Sequence, residues 1–330
     1  MVFTLLLLLG SAALIYVGCE FFVNGIEWVG RKLGIAQNAV GTVLAAFGTA
    51  LPESVVTFVA VVLGTTPEAK DIGVGAALGG PLVLSTVSYA ATGCSILLFR
   101  RRRSKGSGLL IDGRRLGRDQ IAFLAIFVLK VGLGFVAFPG KPVMGWVFLA
   151  AYAAYFWIEL RQPSAGEEGE LEPLRIRAGQ TNPHAAWVFL QTGLALVAVF
   201  VGSQVFVSQL EGLAVGLGVP GHIVALLLSP VATELPETMN AIIWVRQGKQ
   251  RLALANISGA MMIQATVPSA LGLLFTPWRF DTALALAGAT TMLSILYLIL
   301  ALKTTRLTAS RLSFVGLGYV AFAAVFVATR

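Results

Sequence analysis

Ten apolar runs constrain this chain more than any other feature. They cover approximately residues 2–30, 36–63, 71–99, 119–138, 143–160, 185–215, 221–246, 251–275, 280–301 and 311–328. A helix crosses a hydrocarbon core of about 30 Å with roughly 17–25 residues, so each run is long enough to span a bilayer. Within lipid the backbone must satisfy its own hydrogen bonds, and the expected fold is an all-α integral membrane protein of ten transmembrane helices. Runs 2–30, 71–99 and 185–215 are long enough to tilt, bend or break. Only 12% of the residues are charged and 57% are hydrophobic, against about 25% charged in soluble domains. The residues up to Cys19 faintly resemble a lipoprotein signal but lack its basic start, and they read as the first spanning helix. Cys19 and Cys94 fall in apolar runs, at no spacing that suggests a metal site or a disulfide framework.

The formal charge of +8 reflects orientation, not nucleic-acid binding. With the N-terminus outside, 19 of the 24 lysines and arginines fall in the inner connections, 4 fall outside, and Lys130 lies within an apolar run. Lysine and arginine collect on the cytoplasmic side of membrane proteins, which predicts an N-out, C-out topology. The longest inner connections are the arginine-rich 100–118 and the mixed-charge 161–184. The second reads as a flexible cytoplasmic link between two halves, 1–160 and 185–330.

The two halves repeat. A shift of 184 residues pairs residues 18–53 with 202–237 and gives 12 identities over 36 positions without a gap. Among them, Thr49, Leu51, Pro52 and Glu53 meet Thr233, Leu235, Pro236 and Glu237. Five spans per half is an odd number, so the second half is expected upside down relative to the first. Inverted repeats with broken helices at the midplane are a transporter architecture. A carboxylate at that depth is by default a functional residue. A proline frees the carbonyl four residues earlier, here those of Gly48 and Ala232. Carboxylate, hydroxyl and carbonyl oxygens are the ligands that hard cations such as Ca²⁺ take.

The arrangement resembles the cation/Ca²⁺ antiporter superfamily, nearest to prokaryotic Na⁺/Ca²⁺ exchangers. Its members carry two inverted α-repeats, here expected at about 36–99 and 221–275. In each, a G-T-S-x-P-E helix is followed by one with G-N-x-x-G-S-N-x-x-N or a variant ending in Asp. Gly48-Thr49-Ala50-Leu51-Pro52-Glu53 and Ala232-Thr233-Glu234-Leu235-Pro236-Glu237 match the first pattern; 75–84 and 255–264 match the second. The departures matter. Where the family has Ser and then Asn or Asp, this chain has Gly80 and Leu84 in one copy, Ala260 and Gln264 in the other. The Ser after the Thr is Ala50 and Glu234. Four symmetric sites of the family kind cannot be built from what remains.

The resemblance implies a secondary-active antiporter working by alternating access at a midplane carboxylate site, with Ca²⁺ exchanged against Na⁺. A proton-coupled Ca²⁺ exchanger is the alternative, favoured by the missing Ser, Asn and Asp and the added Glu234. The candidate cation ligands are Glu53, Glu237, Thr49, Thr233, Glu234 and Gln264, with the carbonyls of Gly48 and Ala232. Three carboxylates at one depth predict at least one bound proton when the site is empty. Asn256, Gly79 and Gly259 read as helix packing, Glu27 as a salt bridge to Arg31 that repeats as Glu211, and Glu20 as a weak proton-route candidate without an evident partner. His184 and His222 are given no role. The ions are cargo and no cofactor, protein partner or enzymatic activity is expected. Midplane segments without arginine or histidine argue against an intramembrane phosphatase, and stoichiometric countertransport would exclude a channel or scaffold. The expected location is the inner membrane of a prokaryote.

Overall fold

The computed structural model describes residues 2–32, 50–99, 113–160, 171–246, 248, 250–304 and 307–329, and among these every regular element is helical. In chain order they are α1 (Val2–Lys32), α2 (Leu51–Leu63), α3 (Pro67–Leu98), α4 (Gly113–Phe135), α5 (Met144–Leu160) and α6 (Ala185–Leu217). Then follow α7 (Gly221–Thr233), α8 (Leu235–Arg246), α9 (Gln250–Phe275), α10 (Thr282–Thr304), α11 (Ala309–Phe314) and α12 (Leu317–Ala328). α2 ends in a π-helical turn over Val59–Leu63, and α3 contains one over Leu84–Ser88. Single π turns of this kind widen a helix and often mark functional regions.

Six stretches among the described residues are long and apolar enough to cross a membrane: Phe3–Lys32, Pro67–Leu98, Ala185–Leu217, Gln250–Phe275, Thr282–Lys303 and Ala309–Ala328. The other predicted runs depart for identifiable reasons. Run 36–63 lies partly outside the described residues. α4 starts earlier than 119 and carries Arg118, Asp119 and Lys130. α5 has 17 residues, at the lower limit for a span. Run 221–246 breaks at Glu234 into α7 and α8.

Polarity is arranged for an apolar solvent. Leu98, Trp146, Leu293 and Val327 are exposed, whereas Glu53, Lys130, Glu234, Glu237 and Gln264 are buried. An exterior this apolar suits lipid. α1 packs along α6, and α7 along α3, more extensively than any other pairs. The α1–α6 contact is reciprocal. A Cβ added at Gly18 would meet Val199 at 2.9 Å, and one at Gly202 would meet Ile15 at 2.9 Å; both contacts are related by the 184-residue shift. Small residues allow such close crossing in membranes. Gly79 does the same where α3 meets the Leu226 carbonyl of α7. α6 ends at Gly218, whose left-handed φ of 62° lets Gly218 and Val219 donate back to Val215 and Ala214.

The segment from 171 to 184 is not a loose link, contrary to the reading of its composition. Asn24 and Trp28 of α1 donate to the Glu172 carbonyl, and the Arg175 N–H donates to Asn24 Oδ1 at 3.0 Å. Gln191 of α6 accepts from the Ile176 N–H and donates to Asn24 and to the Phe21 carbonyl. The Arg177 guanidinium stacks 4.1 Å from the Trp187 ring. Charged composition hid a set of directional backbone contacts.

Candidate functional site

One helix starts and another ends at positions related by the internal repeat. α2 starts after Ala50 (φ −83°, ψ 0°), and α7 ends before Glu234 (φ −100°, ψ −8°), after which α8 begins. Pro52 and Pro236 are each the second residue of a new helix, where a missing N–H would have had no partner anyway. Glu53 and Glu237 fall in the first turns of α2 and α8. There the positive end of the helix dipole favours a negative charge by about 0.3–1 kcal/mol, more when partly buried.

Four side chains form a continuous chain across the break. The Thr233 hydroxyl lies 2.9 Å from Glu53 Oε2 and 2.8 Å from Glu234 Oε1, and 3.2 Å from the Ser229 carbonyl. Gln264 Nε2 donates to Glu234 Oε2 at 2.8 Å. All four residues are buried. A hydroxyl owns one proton and an ionised carboxylate none. Thr233 can donate to only one of the two carboxyl groups, so the other contact is a hydrogen bond only if that carboxyl brings a proton of its own. Glu53 Oε1 and Gln264 Oε1 have no hydrogen-bond partner among the described residues. Leaving such a buried acceptor unmet costs about 1–3 kcal/mol, and a cation or a proton donor would satisfy either one.

Gly80 and Glu234 depart from the family pattern, and they fit one another. A Cβ added at Gly80 would fall 2.8 Å from Gln264 Oε1 and 3.0 Å from Glu234 Oε1. A serine at 80 would collide with the amide–carboxylate pair, so the carboxylate brought by Glu234 fills the space the glycine leaves. Leu84 and Ala260 pack in the hydrophobic core and offer no side-chain ligand.

The remaining candidates divide. Ala232 is buried in the last turn of α7, where carbonyls lack intrahelical donors. Glu237 is fully buried and within electrostatic reach of the Cys19 thiol of α1. It does not complete a three-carboxylate cluster: among the described residues no three His, Cys, Asp or Glu side chains converge. Thr49 and Gly48 lie outside the described residues. Glu20 has partners after all, accepting from Tyr16 at 2.8 Å and lying 3.9 Å from Arg175. Glu211 accepts from Thr66, which caps α3 by accepting from the Ala69 N–H. His184 caps α6 through Nδ1. His222, at the start of α7, lies 2.8 Å from Asp281. Asp281 precedes α10 and accepts from the Leu284 N–H. Burial works against its ionisation, but the hydrogen bonds from Leu284 and Ala283 and the contact with His222 prevail and hold its carboxyl below the usual range. Lys130 escaped the sequence reading except as a lone charge within an apolar run. That was the signal available, and the structure buries it completely beside Gln264.

Comparison with known proteins shows the family and the fold. A family model described as sodium/calcium exchanger protein matches residues 3–161 and 187–330. The inner membrane protein YrbG of Escherichia coli K12 is 25% identical over 283 residues, covering 84% of this chain and 81% of YrbG. Among solved structures, the H⁺/Ca²⁺ exchanger CAX superposes with a TM-score of 0.73 at 17% identity, over 97% of this chain and 85% of its own. The sodium-calcium exchanger NCX_Mj superposes at 0.62 with 20% identity, over 98% of both chains. At such identities the two structures share the fold.

Proposed function

The chain belongs to the sodium/calcium exchanger family, and from that premise we propose that it is a secondary-active antiporter exchanging Ca²⁺ for protons at the Glu53–Thr233–Glu234–Gln264 chain. The observation that carries the coupling ion is the single hydroxyl held between two carboxyl groups. A proton on one carboxyl completes those hydrogen bonds in the empty site. A divalent cation drawn to both carboxylates displaces that proton, so the two ions exclude each other, which is what antiport requires. Glu237 would join from the first turn of α8 as the site closes. The carbonyls of Ala232 and Gly48 and the Thr49 hydroxyl would complete an oxygen shell.

The wider architecture is part of the same reading. Two five-helix halves, 1–160 and 185–330, would lie inverted in the membrane, N-out and C-out, with ten spans and 161–184 on the cytoplasmic side of a prokaryotic inner membrane. The reciprocal α1–α6 crossing supports the inversion. Movement of that helix pair across α2 and α7 would expose the site to one side at a time.

Exchange against Na⁺ is the second reading, favoured by the likeness to NCX_Mj. Vesicles containing the purified protein separate the two. Uptake of ⁴⁵Ca²⁺ should follow an imposed pH gradient, and an imposed Na⁺ gradient at constant pH should drive little. The reverse result assigns Na⁺, and flux without countertransport would reject antiport altogether.

A further inference from the structure

Lys130 of α4 is fully buried. Its Nζ donates to the Ala77 carbonyl of α3 at 2.7 Å and to the Gln264 carbonyl of α9 at 3.3 Å. Both carbonyls are special. Pro81 lies four residues after Ala77, and Pro268 four residues after Gln264, each inside its helix. A proline offers no N–H to the carbonyl four residues back, so these two oxygens have lost their helical donors. Two separate prolines thus create a pair of bare oxygens facing one point, and an ammonium fills it. The Phe127 and Trp278 rings lie 5.1 and 6.0 Å from Nζ, a setting that favours a cation. Gln264 ties this point to the transport chain, since its carbonyl receives Lys130 and its amide holds Glu234. Glu53 is within electrostatic reach of the ammonium. Ca²⁺ demands oxygens at about 2.3–2.6 Å and Mg²⁺ at about 2.0–2.1 Å; the 2.7 and 3.3 Å contacts here are those of an ammonium, a monovalent cation.

We infer that Lys130 is a tethered cation of the transport site: its ammonium fills a monovalent-cation position between the carbonyls of Ala77 and Gln264. The carrier therefore binds one free monovalent ion fewer than its oxygen ligands would otherwise hold. The consequence for exchange rests on the antiporter reading, but the position itself is tested by binding. The full chain and its Lys130→Ala and Lys130→Gln variants are compared in Ca²⁺-free solution at constant ionic strength. Equilibrium binding of ²²Na⁺ and ⁸⁶Rb⁺ is measured, with thermal unfolding in sodium, rubidium and choline chlorides. Lys130→Ala is expected to bind one more Na⁺ or Rb⁺ per chain than wild type. Relative to choline, that ion should also raise its melting temperature more than it raises that of wild type. Lys130→Gln keeps an amide donor without the charge and guards against a loss of folding. One additional ion in either variant supports the tethered cation. No additional ion in either, with unfolding of Lys130→Ala no more sensitive to the choice of cation than wild type, overturns it and leaves the lysine a structural plug. Absence of Ca²⁺ exchange by the wild type would reject the antiporter reading and leave this binding result standing.

Discussion

Replacing Gly80 by alanine tests whether Gly80, Glu234 and Gln264 are one packed unit. The added Cβ would lie 2.8 Å from Gln264 Oε1 and 3.0 Å from Glu234 Oε1. Both atoms end side chains, so they can move, but only by giving up the 2.8 Å bond between Gln264 Nε2 and Glu234 Oε2. A hydrogen bond to a charged group contributes about 1.5–3 kcal/mol. Alanine in a helix interior recovers up to about 1 kcal/mol relative to glycine. The net expectation is a destabilisation of about 0.5–2 kcal/mol. In a Glu234→Ala background the carboxylate is absent and the Gln264 amide is free to turn away. The same Gly80→Ala change should then be neutral or stabilise by up to about 1 kcal/mol. The coupling between positions 80 and 234 is thus about 1.5–3 kcal/mol, read from a double-mutant cycle of chemical unfolding in detergent. Ca²⁺ flux should follow the same pattern, with Gly80→Ala losing about two- to thirtyfold, as about 1.4 kcal/mol per decade implies. Additive effects of the two substitutions, within about 0.5 kcal/mol, would refute the claim that the glycine makes room for the carboxylate.

Glu53→Gln and Glu237→Gln should each reduce Ca²⁺ flux at least about tenfold, since a charged ligand contributes about 1.5–3 kcal/mol, while gel filtration still reports a folded protein; normal flux in either removes that residue from the site. Glu234→Ala, which restores the symmetry with Ala50, should flatten the pH profile of Ca²⁺ affinity between pH 6 and 8.5 more than it weakens affinity at the alkaline end. Wild-type affinity should fall as pH drops, because protons compete for the carboxyl pair; identical profiles for the two proteins would take the proton from Glu234. Asp281 has a depressed folded-state value relative to 3.8. Its contribution to stability is therefore present above about pH 4 and lost as pH falls through the folded value. Asp281→Asn should lower the melting temperature at pH 6 and narrow its gap to wild type near pH 3; a constant gap would show that ionisation of Asp281 contributes nothing.

The sequence by itself determined the solvent, the family and the repeated motif at which α7 gives way to α8. A carboxylate beside a proline, repeated at a fixed shift within apolar runs, has few readings, because both residues are costly in lipid unless they are used. Glu53 and Thr233 were legible for that reason, Glu234 and Gln264 through the family resemblance, and the structure joins those four. Only the tertiary structure decided how they meet. That one hydroxyl serves two carboxyl groups depends on α2 approaching α7. That Gly80 exists to admit Glu234 depends on α3 lying against both partners, so in the sequence it read merely as a lost serine. Lys130 looked like a stray charge because its meaning lies in carbonyls freed by prolines on two other helices, α3 and α9. The 171–177 segment looked loose because composition reports charge and says nothing of which backbone groups Asn24 and Gln191 reach. Burial cost is a property of a residue and its neighbours in sequence. Satisfaction of a buried group is a property of whatever the fold brings alongside it, and that information enters only when the helices pack.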